Sequence, residues 1–153
     1  MTVIQYLELK DVDPHALLTI LNKISTREHL VPHEPFTSAS IKDWIAEKAN
    51  ADSTEGCVVR GIEVDGALAG WCGIQIENGS HELAIVVDEA YWGIGKHVFK
   101  DTLSWEQKMG HSVISMHLYN TRPKYRFLES IASRVYQSTI FGKQYTTYEI
   151  KLD

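Results

Sequence analysis

The segment at residues 81–109 restricts the possible fold more than any other part of the chain. Its first apolar run, residues 83–87, is rich in β-branched side chains and predicts a buried strand. A polar turn that contains Gly93 and Gly95 follows, and apolar residues then recur at helical spacing. We expect the charged side chains of this helix, including Glu106, to lie opposite its apolar face. The segment therefore predicts a strand, a glycine turn and an amphipathic helix in succession.

The two glycines leave little side-chain bulk in front of the first N–H groups of that helix. Such N–H groups, together with the positive end of the helix dipole, can bind phosphate oxygens. Glycine also serves ordinary tight turns, so the glycines alone leave both roles open. A dinucleotide-binding turn fits poorly, because Val98 stands where its third glycine would be. A P-loop is excluded, because no Gly-Lys-Ser/Thr triplet closes the turn.

Residues 82–95, ELAIVVDEAYWGIG, resemble the signature segment of the GNAT superfamily of N-acetyltransferases. In that family a strand leads into a loop with the pattern Gln/Arg-x-x-Gly-x-Gly/Ala, whose backbone amides bind the pyrophosphate of acetyl-CoA. Two alignments to the pattern are open. Either Gly93 and Gly95 are its two small positions, or Trp92 takes the Gln/Arg place and Gly95 and His97 follow. We prefer the first, because it keeps both small residues.

The resemblance implies that acetyl-CoA is the co-substrate and binds along this segment. The main chain of the strand would pair with the pantetheine arm, and an N–H near Val86 or Val87 would stabilise the oxyanion. An asparagine further along the chain would also contact the cofactor, although it could equally cap a helix. The implied cofactor-binding residues are Ile85, Val86, Val87, Trp92, Gly93, Ile94, Gly95, Lys96, His97, Val98 and Asn120.

The same resemblance assigns the general base to Glu82, at the start of the signature strand. His81 is the alternative, because neighbouring residues of a strand face opposite sides and only one of the two can point into the cleft. A solvated strand end explains Glu82 equally well. Leu128 stands where the family usually carries the tyrosine that acts as general acid. Tyr125, one helical turn earlier, is therefore the candidate general acid. Core packing accounts for Tyr125 as well.

The remaining elements follow from alternation, helical spacing and turn residues. Strands are predicted at residues 3–9, 57–64, 67–77, 112–118, 134–141 and 144–152, in addition to the signature strand. Helices are predicted at 14–24, 38–50, 98–109 and 123–131, with Ser38 or Ser40 as the cap of the second and residues 25–37 as a loop. The result is a mixed α/β (α+β) fold, a mostly antiparallel sheet of about seven strands flanked by about four helices. The same element order is that of the GNAT fold.

Length and composition suit one domain spanning residues 1–153, with 44% hydrophobic and 23% charged residues. The chain lacks both a membrane-spanning apolar run and a signal-peptide pattern, so we expect a cytoplasmic protein. A net charge of −5 argues against a nucleic-acid partner. Cys57 and Cys72 are expected to be small buried residues. No metal is expected, since His29 and His33 are separated by Pro32.

The sequence thus predicts an acyltransferase that moves the acetyl group of acetyl-CoA directly to an amine, on a small molecule or a protein. Such a site needs a base, because an amine is mostly protonated at neutral pH and cannot attack a thioester. The alternative is a GNAT-fold protein that binds acyl-CoA, or serves a structural role, without turnover. Either a monomer or a homodimer is compatible with the sequence.

Overall fold

The computed structural model describes residues 2–27, 34–77, 79–119, 126–140 and 142–152. This part of the chain contains seven strands: β1 (Ile4–Glu8), β2 (Val58–Val64), β3 (Ala67–Glu77), β4 (Ser80–Val87), β5 (Val113–Tyr119), β6 (Arg134–Ile140) and β7 (Lys143–Lys151). It also contains five α-helices: α1 (Pro14–Asn22), α2 (Ile24–Arg27), α3 (Ser38–Asp52), α4 (Gly95–Met109) and α5 (Arg126–Ile131).

The strands form one sheet in the order β1-β2-β3-β4-β5-β7-β6. Among the described strands only β4 and β5 are parallel neighbours, and the other adjacent pairs are antiparallel. The β2–β3 hairpin closes at Asp65 and Gly66, which both have positive φ, as a two-residue hairpin turn requires. The predicted mixed, mostly antiparallel fold is confirmed.

Each face of the sheet packs against helices, because successive side chains of a strand point to opposite sides. Helices α4 and α5 cover one face, where the core includes Leu83, Phe99, Ile114, Leu128 and Tyr148. Helices α1 and α3 cover the other, where the core includes Leu17, Ile41, Val59, Trp71 and Val86. Residues 88–94 join the end of β4 to the start of α4, so the signature strand leads through a short segment to the N-terminus of this helix.

The helix ends are set by local hydrogen bonds. Asp13 caps α1 by accepting the His15 N–H at 3.1 Å, with Pro14 in the first helical position. Our assignment of the α3 cap to Ser38 or Ser40 was wrong. Thr37 is the cap, because its hydroxyl accepts the Ser40 N–H at 3.0 Å while the Ser40 hydroxyl accepts the Thr37 N–H at 2.8 Å.

Two further expectations were wrong. Residues 25–27, expected in a loop, belong to α2, which is too short for hydrophobic periodicity to reveal. Glu106, expected on the polar side of α4, is fully buried, since it follows the buried Phe99 and Thr102 by seven and four residues. Cys57 and Cys72 are buried and unpaired, as predicted. No helix in the described ranges is long and apolar enough to cross a bilayer.

Candidate active site

The sheet opens between its two central strands. Strands β4 and β5 are partners at Glu82 and Ser115, and no further partners are found toward their carboxyl ends at Val87 and Tyr119. All other adjacent strands stay paired over five residues or more. The separation leaves one edge of β4 facing an opening in the middle of the sheet, beside the N-terminus of α4.

The main-chain groups that face this opening follow from the pairing of β4 with β3. The Asp88 N–H donates to the Ala69 carbonyl at 2.7 Å, on the β3 side. Because N–H and C=O groups alternate between the two sides of a strand, Ile85 and Val87 direct theirs toward β5. The Val86 carbonyl points at β3, where a Cβ on Gly70 would collide with it. Of the two oxyanion donors that we predicted, the N–H of Val87 is therefore the one turned toward the opening.

The N-terminus of α4 presents backbone amides without bulk in front of them. The Val98 N–H donates to the Ile94 carbonyl at 3.0 Å, so the amides of Gly95, Lys96 and His97 precede that helical hydrogen bond. Ile94, the cap residue, makes no side-chain cap. A Cβ added to Gly93 or Gly95 would meet no other atom within 4 Å. This is the geometry that the predicted pyrophosphate site requires.

The other predicted loop residues lie in different surroundings. Val98 is fully buried under the sheet, so its side chain does not border the opening. The Lys96 ammonium lies 4.6 Å from the centre of the Phe127 ring, and His97 pairs with Asp101 at 3.2 Å. Trp92 is 59% exposed, and its indole N–H donates to the Val87 carbonyl at 3.0 Å. The indole N–H therefore already donates a hydrogen bond to one of the carbonyl oxygens that face the opening.

An ion pair fixes the segment between β4 and α4. Asp88 follows β4, is 5% exposed, and lies 2.8 Å from the Lys23 ammonium at the end of α1. The carboxylate raises the pKa of Lys23 through this hydrogen bond. Helix α1 and the loop before α4 are thus held together on one side of the opening.

Glu82 and His117 meet on the face of the sheet that α1 and α3 cover. Glu82 is the partner of Ser115, and His117 lies two residues further along β5, so the three share one face. The Glu82 Oε1 atom lies 2.6 Å from His117 Nε2. Both side chains are partly exposed, at 25% and 20%. The carboxylate is therefore placed beside the opening rather than sealed in the core.

The hydrogen-bonded row continues across two more strands. His117 Nδ1 lies 2.7 Å from the Thr147 hydroxyl, which lies 2.6 Å from the Ser138 hydroxyl. An ionised carboxylate only accepts, so His117 donates from Nε2 to Glu82, and His117 Nδ1 with the Thr147 and Ser138 hydroxyls extends the row as hydrogen-bond partners. The row fixes the orientation of the imidazole and leaves Glu82 Oε2 outside this network.

His81, the alternative base, lies on the opposite face from Glu82. Its ring packs at a tilt of 44° against that of His111, with the ring centroids 3.9 Å apart, and His111 Nε2 lies 2.8 Å from the Gly56 carbonyl oxygen. Burial and the neighbouring imidazole lower the pKa of His81. Of the two candidates, Glu82 is the one on the face with His117.

Asn120, Tyr125 and the predicted helix start at Pro123 lie outside the described residues, as do His29 and His33. Leu128, at the usual tyrosine position, is buried in the core under α5. No group of three or more His, Cys, Asp or Glu residues in the described ranges is arranged to hold a metal ion.

His117 and Thr147 are the residues that sequence reasoning missed. The one available signal was the polar series Ser115, His117 and Tyr119, which alternates with the buried Ile114, Met116 and Leu118 along β5. That alternation indicates a polar sheet face, but it does not identify the strand that lies beside it.

Solved structures with the same fold cover nearly the whole chain. An N-acetyltransferase from Staphylococcus aureus has a TM-score of 0.75 at 16% identity, covering 100% of this chain and 99% of its own. A putative acetyltransferase from Salmonella typhimurium, solved with acetyl-CoA, has a TM-score of 0.72 at 15% identity, covering 100% and 95%. An N-acetyltransferase from Thermoplasma acidophilum, solved with coenzyme A, has a TM-score of 0.64 at 17% identity, covering 99% of both chains.

Comparison with curated protein sequences gave no significant match. The sequence model of the Acetyltransferase (GNAT) family matches residues 18–129, which run from α1 into α5 and include the whole opening between β4 and β5. The fold, the glycine turn and this match agree with the resemblance seen in residues 82–95. The chain belongs to the GNAT family of acetyltransferases, which are acyltransferase enzymes.

Proposed function

We propose that this protein transfers the acetyl group of acetyl-CoA directly to an amine acceptor. The observation that carries the proposal is the opening between β4 and β5, which has phosphate-binding geometry at one end and a carboxylate beside it. The glycine turn and the free helix amides suit the pyrophosphate. The main-chain N–H and C=O of Ile85 suit the amides of the pantetheine arm. Acetyl-CoA and coenzyme A in structures of the same fold support this choice of co-substrate.

Glu82 is the proposed general base. An acceptor ammonium must lose a proton before its nitrogen can attack a thioester. The Glu82 carboxylate takes that proton, directly or through a water molecule, at the oxygen that His117 does not occupy. His117 keeps the carboxylate oriented, because its own position is fixed by Thr147. The negative charge also favours a cationic acceptor at this end of the cleft.

The bonds change in two steps. The acceptor nitrogen attacks the thioester carbonyl, forming the N–C bond while the negative charge moves to the carbonyl oxygen, which the Val87 N–H stabilises. The intermediate then expels the CoA thiolate as the C–S bond breaks. A proton must reach that thiolate, and Tyr125 remains our predicted donor. The nitrogen loses its second proton as the amide forms, and this proton replaces the one that Tyr125 gives to the thiolate. The products are an N-acetylated amine, the CoA thiol and a protonated Glu82.

The cofactor site is tested with Gly95→Glu. The variant puts a side chain and a negative charge in front of the α4 amides, so we expect it to lose cofactor binding. In wild-type protein, acetyl-CoA at a hundred times its Kd should add about 2.7 kcal/mol to the free energy of unfolding. Gln107→Glu adds the same charge to an exposed position near the other end of α4 and should retain binding. Equal cofactor stabilisation of both variants would contradict the site.

The base is tested with Glu82→Gln. We expect kcat to fall about 10²–10⁴-fold with cofactor affinity unchanged, because the amide cannot accept the amine proton. The acidic limb of the pH–rate profile should disappear in this variant. Glu77→Gln, at an exposed carboxylate of β3, should keep the wild-type rate. Full activity of Glu82→Gln would assign the proton to water or to another group.

The role of His117 as a positioning residue is tested through its partner. Thr147→Val removes the hydroxyl that fixes the imidazole and nearly preserves the volume of the side chain. We expect a lower kcat with little change in KM and a shifted acidic limb of the pH–rate profile. Thr146→Val is the matched control, because Thr146 lies on the opposite face, where it accepts from Gln137 at 3.1 Å.

A second candidate function is binding of acyl-CoA without turnover. It is favoured by Leu128, which replaces the usual acidic tyrosine and is buried in the core. Release of free thiol from acetyl-CoA, measured over a panel of amines, separates the two functions. Cofactor stabilisation without thiol release from any amine would support the binding protein.

A further inference from the structure

A lysine ammonium contacts the cross-strand neighbour of Glu82 on the same face of the sheet. Gln75 of β3 is the direct cross-strand partner of Glu82. Lys48, in the third turn of α3, donates from Nζ to Gln75 Oε1 at 2.9 Å. The same ammonium lies 5.4 Å and 5.2 Å from the ring centres of Trp44 and Trp71. Lys48, Trp44 and Trp71 form what we call the aromatic corner. It contacts Gln75, the strand neighbour of the proposed base.

This cation has no anionic partner. No carboxylate of the described residues forms an ion pair with Lys48, whereas Lys10 and Lys23 pair with Glu8 and Asp88. Burial lowers the pKa of Lys48. A partly buried ammonium between two rings usually meets a carboxylate or phosphate, because desolvation without compensation is costly. Glu47 and Glu77 attract this charge through space, but no carboxylate of the described residues reaches the ammonium as an ion-pair partner.

A second donor in the corner, the indole N–H of Trp71, lacks a hydrogen-bond partner among the described residues. Trp71 is 7% exposed, and its indole nitrogen is buried. Buried indole N–H groups normally find an acceptor. The ring of Trp71 packs edge-on against Trp44, with centroids 5.2 Å apart. The corner thus has more donors than acceptors, which suits a ligand that brings acceptor oxygens.

We infer that Lys48 binds a carboxylate of the acceptor, which makes the substrate class an amine that also carries a carboxylate, such as a free amino acid. The inference rests on the proposed function. Side chains directly opposite each other in antiparallel strands have Cβ atoms about 5 Å apart. A zwitterion can therefore place its ammonium at Glu82 and its carboxylate toward Lys48, with its side chain against the tryptophan rings. Lys48 would repel an acceptor whose only charges are positive.

The experiment compares L-amino acids of different side-chain size with their carboxamides, which keep the amine and lose the carboxylate. Binding is measured by calorimetry with CoA present, and thiol release from acetyl-CoA is measured in parallel. We expect wild-type protein to prefer the acids. Lys48→Met should weaken binding of the acids about 10–100-fold, the range of a charge-assisted hydrogen bond, and leave the carboxamides nearly unchanged.

Two variants control for folding and charge. Lys42→Met removes an exposed positive charge from the same helix and should bind the acids as wild type does. Lys48→Arg keeps the charge and should retain part of the preference. Unaltered cofactor stabilisation in each variant shows that it is folded.

The outcomes separate this inference from the proposed function. Carboxamides that bind and react as well as the acids, or acids that bind Lys48→Met as tightly as wild type, would overturn the carboxylate site and leave the acetyltransferase proposal standing. Failure of every acid and carboxamide to bind would also overturn it. Acids that bind through Lys48 without any thiol release would support the carboxylate site and remove the proposed turnover.

Discussion

Glu106 provides a quantitative test of how α4 packs on the sheet. Its side chain is fully buried, and neither carboxyl oxygen has a hydrogen-bond partner among the described residues. Burial disfavours the charged form and raises the pKa of this carboxyl from 4.5 to about 8. The folded protein therefore holds a proton that the unfolded chain releases across most of the neutral range.

The sign of the effect follows from proton linkage. Below pH 4.5 the carboxyl is protonated in both states and has no effect on the pH dependence of stability. Between pH 4.5 and about 8 the unfolded state loses the proton and the folded state keeps it, so stability falls as pH rises. At 1.36 kcal/mol for each pKa unit, the loss relative to acid pH is about 3 kcal/mol at pH 7. Above pH 8 the loss levels off.

Glu106→Gln removes the titration at nearly constant shape. We expect the variant to exceed the free energy of unfolding of wild type by less than about 1 kcal/mol at pH 5 and by about 3 kcal/mol at pH 7. The measurement is urea denaturation followed by tryptophan fluorescence at half-unit steps from pH 5 to pH 8.5. Other titrating groups cancel in the difference between the two proteins at each pH.

Glu106→Met extends the test, because it also removes the unsatisfied oxygens and should be more stable than Glu106→Gln at every pH. A difference between wild type and Glu106→Gln that stays constant from pH 5 to pH 8 would refute the reasoning. In that case the carboxyl would have to be hydrated or paired in solution.

Three smaller predictions concern the contacts that hold the elements in place, each measured by chemical denaturation. Tyr6→Phe removes a hydroxyl that donates to Asp101 at 2.5 Å and should lower the free energy of unfolding by about 1.5–3 kcal/mol. Burial also raises the pKa of Tyr6. The effect of the substitution should therefore shrink above pH 10, where only the phenol of the unfolded chain ionises. Thr37→Ala removes the α3 cap and should cost about 1 kcal/mol, whereas Thr37→Ser should be nearly neutral. Gly110→Ala places a Cβ at φ 85° after α4 and should cost about 1 kcal/mol.

Sequence reasoning succeeded where the signal is local. The strands predicted at residues 57–64 and 67–77 leave only Asp65 and Gly66 between them, and the structure has a hairpin turn with two positive φ angles there. The helix after the glycine turn was predicted to end at residue 109, and α4 terminates at Met109 with Gly110 in the left-handed conformation. Such features depend on a few adjacent residues, and the chain carries their information at the place where they form.

The site depends on contacts that no local pattern specifies. Glu82 and His117 are 35 residues apart, and their contact exists because two parallel strands share the Glu82–Ser115 register. A shift of one residue in that register would send His117 to the opposite face. Lys48 reaches Gln75 only because α3 lies across β3. The sequence shows which residues are polar, but the register decides which of them become neighbours.

Glu106 shows a second reason why the sequence alone did not predict the structure. A charged residue on an amphipathic helix is normally assigned to solvent, because a buried charge is costly. Its spacing from Phe99 and Thr102 places it on the buried side, and spacing outweighs residue type in this helix. The cap of α3 was missed because Thr37, Ser38 and Ser40 all suit a cap, and only the backbone conformation at Thr37 distinguishes them.

The opening between β4 and β5 is bordered largely by peptide groups, and this has a consequence for inhibitor design. Exchange of Ile85 or Val87 for another apolar residue leaves these groups intact, and only proline would delete the N–H. A compound that mimics the pantetheine arm would therefore meet nearly the same chemistry in any protein that opens its sheet in this way. Selectivity would have to come from the neighbouring side chains, and Lys48 with its two indole rings offers a distinctive anchor for an acidic compound.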